Sequence, residues 1–245
     1  MPTPTSRRAF SLVEILVVVA IVSILAALMF PAITTIMERA RAADSSNRLR
    51  QLASLMALYT QDNNMRLPPA ISGSIYWSNP VAVYLGDSHF GVGGNSVFND
   101  PITGKNAIND AGVRRAGLKS PFSCAGAAWK YNAPPLISAT FAINAYLYLN
   151  ANGYSYDWSS QPRLLQANKP ASTVLFTHGH VGNFGSWQAA EGIVRNTDFE
   201  QTAQIFKSGV PVCWLDGHIT FEKKEEMFSS EHRPGGTDDY WSLVK

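Results

Sequence analysis

The chain has only two cysteines, Cys124 and Cys213. Two cysteines cannot build the dense disulfide framework of a small secreted scaffold. No CxxC pair occurs, so neither a thioredoxin-like redox motif nor a paired-cysteine zinc site is encoded. Charge is scarce as well: 16% of residues are Asp, Glu, Lys or Arg, and the net charge is +2. There is no basic run and no nucleic-acid-binding motif, which excludes nucleic acid as a partner by its electrostatic footprint. Gly91-Val92-Gly93-Gly94-Asn95 lacks the Lys and Ser/Thr of a phosphate-binding loop. No Gly-x-Ser-x-Gly elbow is present, so a serine-hydrolase nucleophile is not signalled. No internal repeat is visible. Aromatics make up 11%, with six Trp, a content suited to a packed domain rather than to disorder.

What the chain does have is one long apolar run near its start. After Arg7 and Arg8, every residue from Ala9 to Ile33 is apolar or small except Glu14. The stretch from Phe10 to Phe30 has the length of about 20 residues that a helix needs to cross a bilayer's hydrocarbon. Its basic flank is N-terminal, so the N-terminus is expected in the cytoplasm and the remainder outside. Glu14 is the informative residue. A carboxylate at the centre of a spanning helix costs about 2.5–3.5 kcal/mol on the insertion scale, so it needs a partner. No Lys, Arg or His occurs between Arg8 and Arg39. Cutting the chain between Ala9 and Phe10 would create an amino group one helical turn from Glu14.

Arg-Arg-Ala, Phe-Ser-Leu-Val-Glu and the unbroken apolar run together resemble the N-terminus of type IV pilins and type II secretion pseudopilins. The resemblance implies removal of the leader 1–9 by a prepilin peptidase/methyltransferase and N-methylation of Phe10. It also implies pairing of Glu14 with a neighbouring subunit's amine, and a helix kink at Pro31. Ala9 stands where the family usually has Gly, which keeps the residue before the cut small. Implied partners are other pilin or pseudopilin subunits, an inner-membrane assembly platform and the lipid bilayer. No cofactor is implied, and no enzymatic activity. A secretory signal peptide fits less well, because its apolar region would be 7–15 residues long and free of acid.

Beyond the run, Ile33, Ile36, Met37 and Ala40, then Leu49, Leu52, Leu55, Met56 and Tyr59, recur at helical spacing. This predicts an amphipathic continuation packing one face onto a head. At 1.5 Å per residue, a helix from Phe10 to Tyr59 would be roughly 75 Å long. The expected organisation is leader 1–9, membrane and assembly helix 10–31, amphipathic stalk 32–60 and exported globular head 61–245. The fold class is α+β: the long N-terminal helix packed on a C-terminal head with a small antiparallel sheet. The protein is placed as a single-pass inner-membrane protein with a periplasmic or extracellular head. Asn47–Pro69, the Cys124 turn with Thr140–Asn144, and Leu215-Asp216-Gly217-His218-Ile219 resemble, more loosely, pilin-like proteins of certain environmental bacteria. That favours a pseudopilin-like subunit over an adhesive pilin.

Within the head, Gln61–Lys119 is rich in turn residues, with short elements expected at Ser74–Trp77 and Val81–Leu85. Ala139–Leu149 is a short helix or strand, Thr173–Thr177 a buried strand, and Trp187–Phe206 partly helical. Asp216-Gly217 between β-like runs predicts a two-residue hairpin. That register pairs Trp214 with Ile219 and Val212 with Phe221, and turns these four toward the helix. Glu222–Lys245 is expected to be a surface tail anchored by Tyr240 and Trp241. His178, His180, His218 and Asp216 are weak candidate metal ligands; Asp62, Asn63 and Asn64 form a polar turn rather than a calcium loop. A second class of function is therefore a signal-anchored exported binding protein or metal-dependent hydrolase. Cys124 and Cys213 are expected to be separate thiols rather than a bridge.

Overall fold

The computed structural model describes residues 11–72, 75–85, 121–122, 124, 141–148, 159–178, 193–194, 206–227, 229–232 and 236–243. It divides into two units, Met1–Ala40 and Arg41–Lys245. One helix, α1 (Leu12–Asp62), runs through both. No Gly interrupts it, and its single Pro, Pro31, lies inside it. α1 ends on a hydrogen-bonded turn: the Met65 N–H donates to the Thr60 carbonyl at 2.7 Å. Asn64 takes the left-handed conformation there, with φ 55°, the usual way to close a helix when Gly is not used. The Asn63 side chain donates to the Tyr59 carbonyl, so Asp62-Asn63-Asn64 is a polar helix end.

In the first unit the helix surface is apolar and exposed. Ile33, Ile36 and Met37 are 46%, 62% and 46% exposed. In the second unit the stripe does pack: Leu49, Leu52, Leu55, Met56 and Tyr59 are all buried. Ser45 and Ser46 are buried with them. Ser45 Oγ lies 3.3 Å from Cys124 Sγ, which gives a buried hydroxyl the partner it needs.

After α1 come a small hairpin, β1 (Ile71–Ser72) and β2 (Ile75–Tyr76), then α2 (Ser78–Ala82) and a 3₁₀ turn, Val83–Leu85. The main sheet uses β3 (Phe141–Asn144), β4 (Val174–His178), β5 (Ile193–Val194), β6 (Val210–Trp214) and β7 (Ile219–Glu222) in the order β5-β3-β4-β6-β7. The β3-β4-β6-β7 pairs are antiparallel, and β5 lies parallel to β3. Ala139–Leu149 resolves into both candidates: strand β3, then a 3₁₀ turn at Ala145–Tyr148. Ile193–Val194 is strand, which corrects the helical expectation at those two positions; residues 195–205 and 187–192 lie outside the described residues.

Both faces of this sheet are covered. On one, Phe141, Ile143, Phe176 and Cys213 join Leu49, Leu52 and Met56 of α1, with Trp77 and Phe122. On the other, Ala142, Val174, Val212 and Trp214 pack with Met227 of α3 (Lys224–Met227) and Trp241. Val174 and Phe176 should share a face by strand alternation, yet they do not. Val174 pairs with Trp214 and Phe176 with Cys213, so Leu175 is an extra residue on β4. Such a bulge reverses the alternation beyond it.

The predicted hairpin forms, but its register is one residue off. Cys213 pairs with Ile219, Val212 with Thr220 and Pro211 with Phe221. The reason is the turn. Trp214 N–H donates to His218 O at 3.0 Å and Gly217 N–H to Trp214 O at 2.9 Å, with Gly217 at φ 90°. Leu215, Asp216 and Gly217 therefore make a three-residue loop closed by a Gly bulge instead of a two-residue turn. A one-residue slip exchanges faces: Cys213, Ile219 and Phe221 turn to the helix-side cluster, while Val212 and Trp214 turn away.

The C-terminal segment is not a surface tail. Trp241 is fully buried. Asn144 Nδ2 donates to both Val174 O and Trp241 O at 2.8 Å, and Val174 N–H donates to Tyr240 O at 2.7 Å. Asp239 Oδ1 accepts the N–H groups of Trp241 and Ser242. The segment is thus fixed to the sheet by a buried, paired polar network.

Cys124 and Cys213 are both buried free thiols. Burial, helped by the nearby Asp216 charge, pushes the Cys213 thiol up to about 12. Only thiolate is nucleophilic, so native protein at pH 8 should resist alkylation at Cys213. After unfolding without reductant, both cysteines should label; no labelling of unfolded, unreduced protein would show a bridge.

Candidate functional site

The N-terminal site begins at Ser11, since Ala9 and Phe10 lie outside the described residues. Ser11 caps α1. The Val13 N–H donates to Ser11 Oγ at 3.3 Å, and the Ser11 N–H donates to Glu14 Oε2 at 2.9 Å. This reciprocal pair is a capping box, which satisfies helix-end donors that have no partner within the helix. Its signature, Ser-x-x-Glu before an apolar run, stands in the sequence at Ser11–Glu14, and it adds Ser11 to the site. Glu14 is thereby oriented toward the chain start. A carboxylate has about four lone-pair sites, so one N–H bond leaves acceptor capacity for an incoming ammonium.

The surroundings are uniformly apolar. Leu12, Val13, Ile15, Leu16 and Val17 are between 48% and 78% exposed, and the pattern continues through Phe30. Ser23, the one hydroxyl among these residues beyond the cap, donates back to the Val19 carbonyl at 2.7 Å, a bond that hides its polarity in an apolar medium. The helix is long and apolar enough to cross a membrane. So extended an exposed apolar surface calls for lipid or protein to cover it.

The histidine candidates are described only in part. His178 is in β4, its backbone paired with Phe141, and His180 lies outside the described residues. His218 and Asp216 do meet, with Nδ1 2.6 Å from Oδ1. Asp216 Oδ1 also accepts the His218 N–H at 3.1 Å. His218 stacks on Trp214, with ring centroids 5.6 Å apart. Burial works against ionisation of Asp216, but the His218 backbone and ring hydrogen bonds outweigh it and hold its carboxyl below the usual range. A carboxyl depressed in the folded state stabilises above its unfolded pKa, and the benefit is lost as pH falls through the folded value. The pair is well exposed, so this is a hairpin-tip lock of small effect. Among the described residues, no group of three or more His, Cys, Asp or Glu could hold a metal ion.

Residues 4–30 match the family model of the prokaryotic N-terminal methylation motif. The match, at the start of a capped apolar helix, supports a type IV pilin-like or pseudopilin precursor, and the long helix followed by an α+β head fits that layout. That family is structural rather than enzymatic. No curated protein and no solved structure matches the chain.

Proposed function

We propose that this chain is a structural subunit of a type II secretion pseudopilus or a type IV pilus-like filament. A prepilin peptidase/methyltransferase removes residues 1–9 and methylates Phe10. The organisation follows: membrane and assembly helix 10–31, loosened at Pro31; stalk 32–60; head 61–245, held outside the cytoplasm by a single inner-membrane span. An assembly platform then lifts each subunit from the bilayer into contact with its neighbours. The observation that carries this reading is Glu14. It is the one ionisable side chain in the exposed apolar stretch 11–30 of α1, and the cap at Ser11 orients it toward the position where cleavage creates an amine. In a low-dielectric filament core, that amine from a neighbouring subunit satisfies the carboxylate.

The test is fractionation. In cells with an assembly platform, antibody to the head should detect the processed chain in sheared filaments; without the platform it should stay in the inner membrane. A processed chain that remains in the membrane in both strains would point instead to an anchored exported binding protein.

A further inference from the structure

The main sheet ends on one side at β7, and that edge is open. The Trp214 N–H donates to His218 O, which fixes the phase of the β6–β7 ladder. Hydrogen-bonded and non-hydrogen-bonded pairs alternate along an antiparallel ladder. Val212–Thr220 and Val210–Glu222 are therefore the bonded pairs, and Cys213–Ile219 and Pro211–Phe221 the non-bonded ones. Pro211, which has no N–H, stands where β7 asks for none. The backbone N–H and C=O groups of Ile219 and Phe221 thus point away from β6. Nothing among the described residues bonds them. Such a row of unpaired groups is a template for another strand. Ile219, Thr220 and Phe221 all favour extended structure, and no Pro or Lys lies within β7 to blunt the edge.

The strand that matches this edge is a second β7, run antiparallel. With Ile219 opposite Phe221 of the second copy, and Phe221 opposite its Ile219, each pair exchanges both N–H···O bonds. Every outward group on both edges is then satisfied. Neighbouring registers fail. One sets Phe221 against Gly217, whose N–H is held by Trp214 O. The other sets Ile219 against Lys223, whose C=O already accepts the Glu226 and Met227 N–H groups. The matching register also brings together side chains that suit each other across strands. Glu222, which makes no ion pair among the described residues, meets His218 of the second copy. His218 binds Asp216 through Nδ1, which leaves Nε2 for that carboxylate. Thr220 meets Thr220: its Oγ1 accepts the Trp214 Nε1–H at 2.8 Å, and its own proton remains to be donated. Ile219 and Phe221, only partly buried against the helix-side cluster, meet as an apolar pair. We propose that two copies of this chain join their heads through β7, antiparallel about a two-fold axis at Thr220, as one continuous sheet. The contact lies in the head and goes beyond the filament-subunit reading, since it needs neither leader removal nor assembly.

Cysteine cross-linking of the full-length chain in membranes reads the register. Thr220 faces its own copy in a non-hydrogen-bonded pair, where Cα atoms lie about 4.5 Å apart, within the reach of a disulfide. Thr220→Cys should give a disulfide-linked dimer under mild oxidation, reversed by reductant. Phe221→Cys, opposite Ile219, should give no more dimer than the wild-type chain with its buried Cys124 and Cys213. Hydrogen exchange on the wild-type chain in detergent gives a second reading, free of any substitution. The Ile219 and Phe221 amides should be protected in concentrated protein and lose that protection on dilution. Equal cross-linking at the two positions would overturn the contact, as would no dimer from Thr220→Cys at a wild-type melting temperature. Protection unchanged by dilution would overturn it too, by showing that the chain closes its own edge. A Thr220→Cys adduct with a different protein would replace the second copy with that partner.

Discussion

Glu14→Gln subunits should be inserted and processed normally, fold their heads and form no filaments. Gln keeps an oxygen that can accept the Ser11 N–H, so the helix cap survives and only the charge is lost. Insertion should be eased, because a carboxylate leaves the apolar segment. Breaking a desolvated ion pair by removing one partner typically costs 3–5 kcal/mol, which at every subunit contact amounts to about 10² to several times 10³-fold per step. Ser11→Ala provides the contrast. It keeps the charge and removes the hydroxyl that caps Val13, a loss of about 1 kcal/mol, so its filaments should persist at reduced yield. Counting filaments by immunogold labelling decides the matter, and wild-type assembly by Glu14→Gln would show that the carboxylate is incidental.

Trp241→Ala should be the most damaging single truncation in the C-terminal segment. The indole is fully buried between the sheet and Met227 and donates Nε1–H to the Met227 carbonyl at 3.3 Å. Large-to-small changes of this kind cost about 3–5 kcal/mol, against a total of roughly 5–15 kcal/mol for a typical domain. Losing the anchor also loosens the segment whose backbone satisfies Asn144 and Val174. Urea unfolding of the detergent-solubilised chain, followed by Trp fluorescence, should show the midpoint falling steeply. A shift worth under about 1 kcal/mol would mean that the segment is dispensable to the fold.

The parts of this protein that were legible in its sequence are those set by one strong local rule. A membrane demands length and apolarity, so the run after Arg8 declares itself. Helical periodicity picked out Leu49, Leu52, Leu55, Met56 and Tyr59 as packed, and they are buried. The hairpin was visible in Asp216-Gly217, but its register depended on Leu215 joining the loop. The extra residue at Leu175 likewise reverses a face without a local mark. Asn144 and Trp241 are 97 residues apart in sequence, so nothing local could announce their bond. The Ser11 cap, by contrast, stands in plain Ser-x-x-Glu spacing ahead of the apolar run.

Mass spectrometry of the N-terminal peptide from membranes containing active prepilin peptidase tests the central claim most directly. The account predicts a chain that begins at Phe10 and carries a methyl group on its amine. An intact leader from Met1, or a start after Ala27, would contradict it.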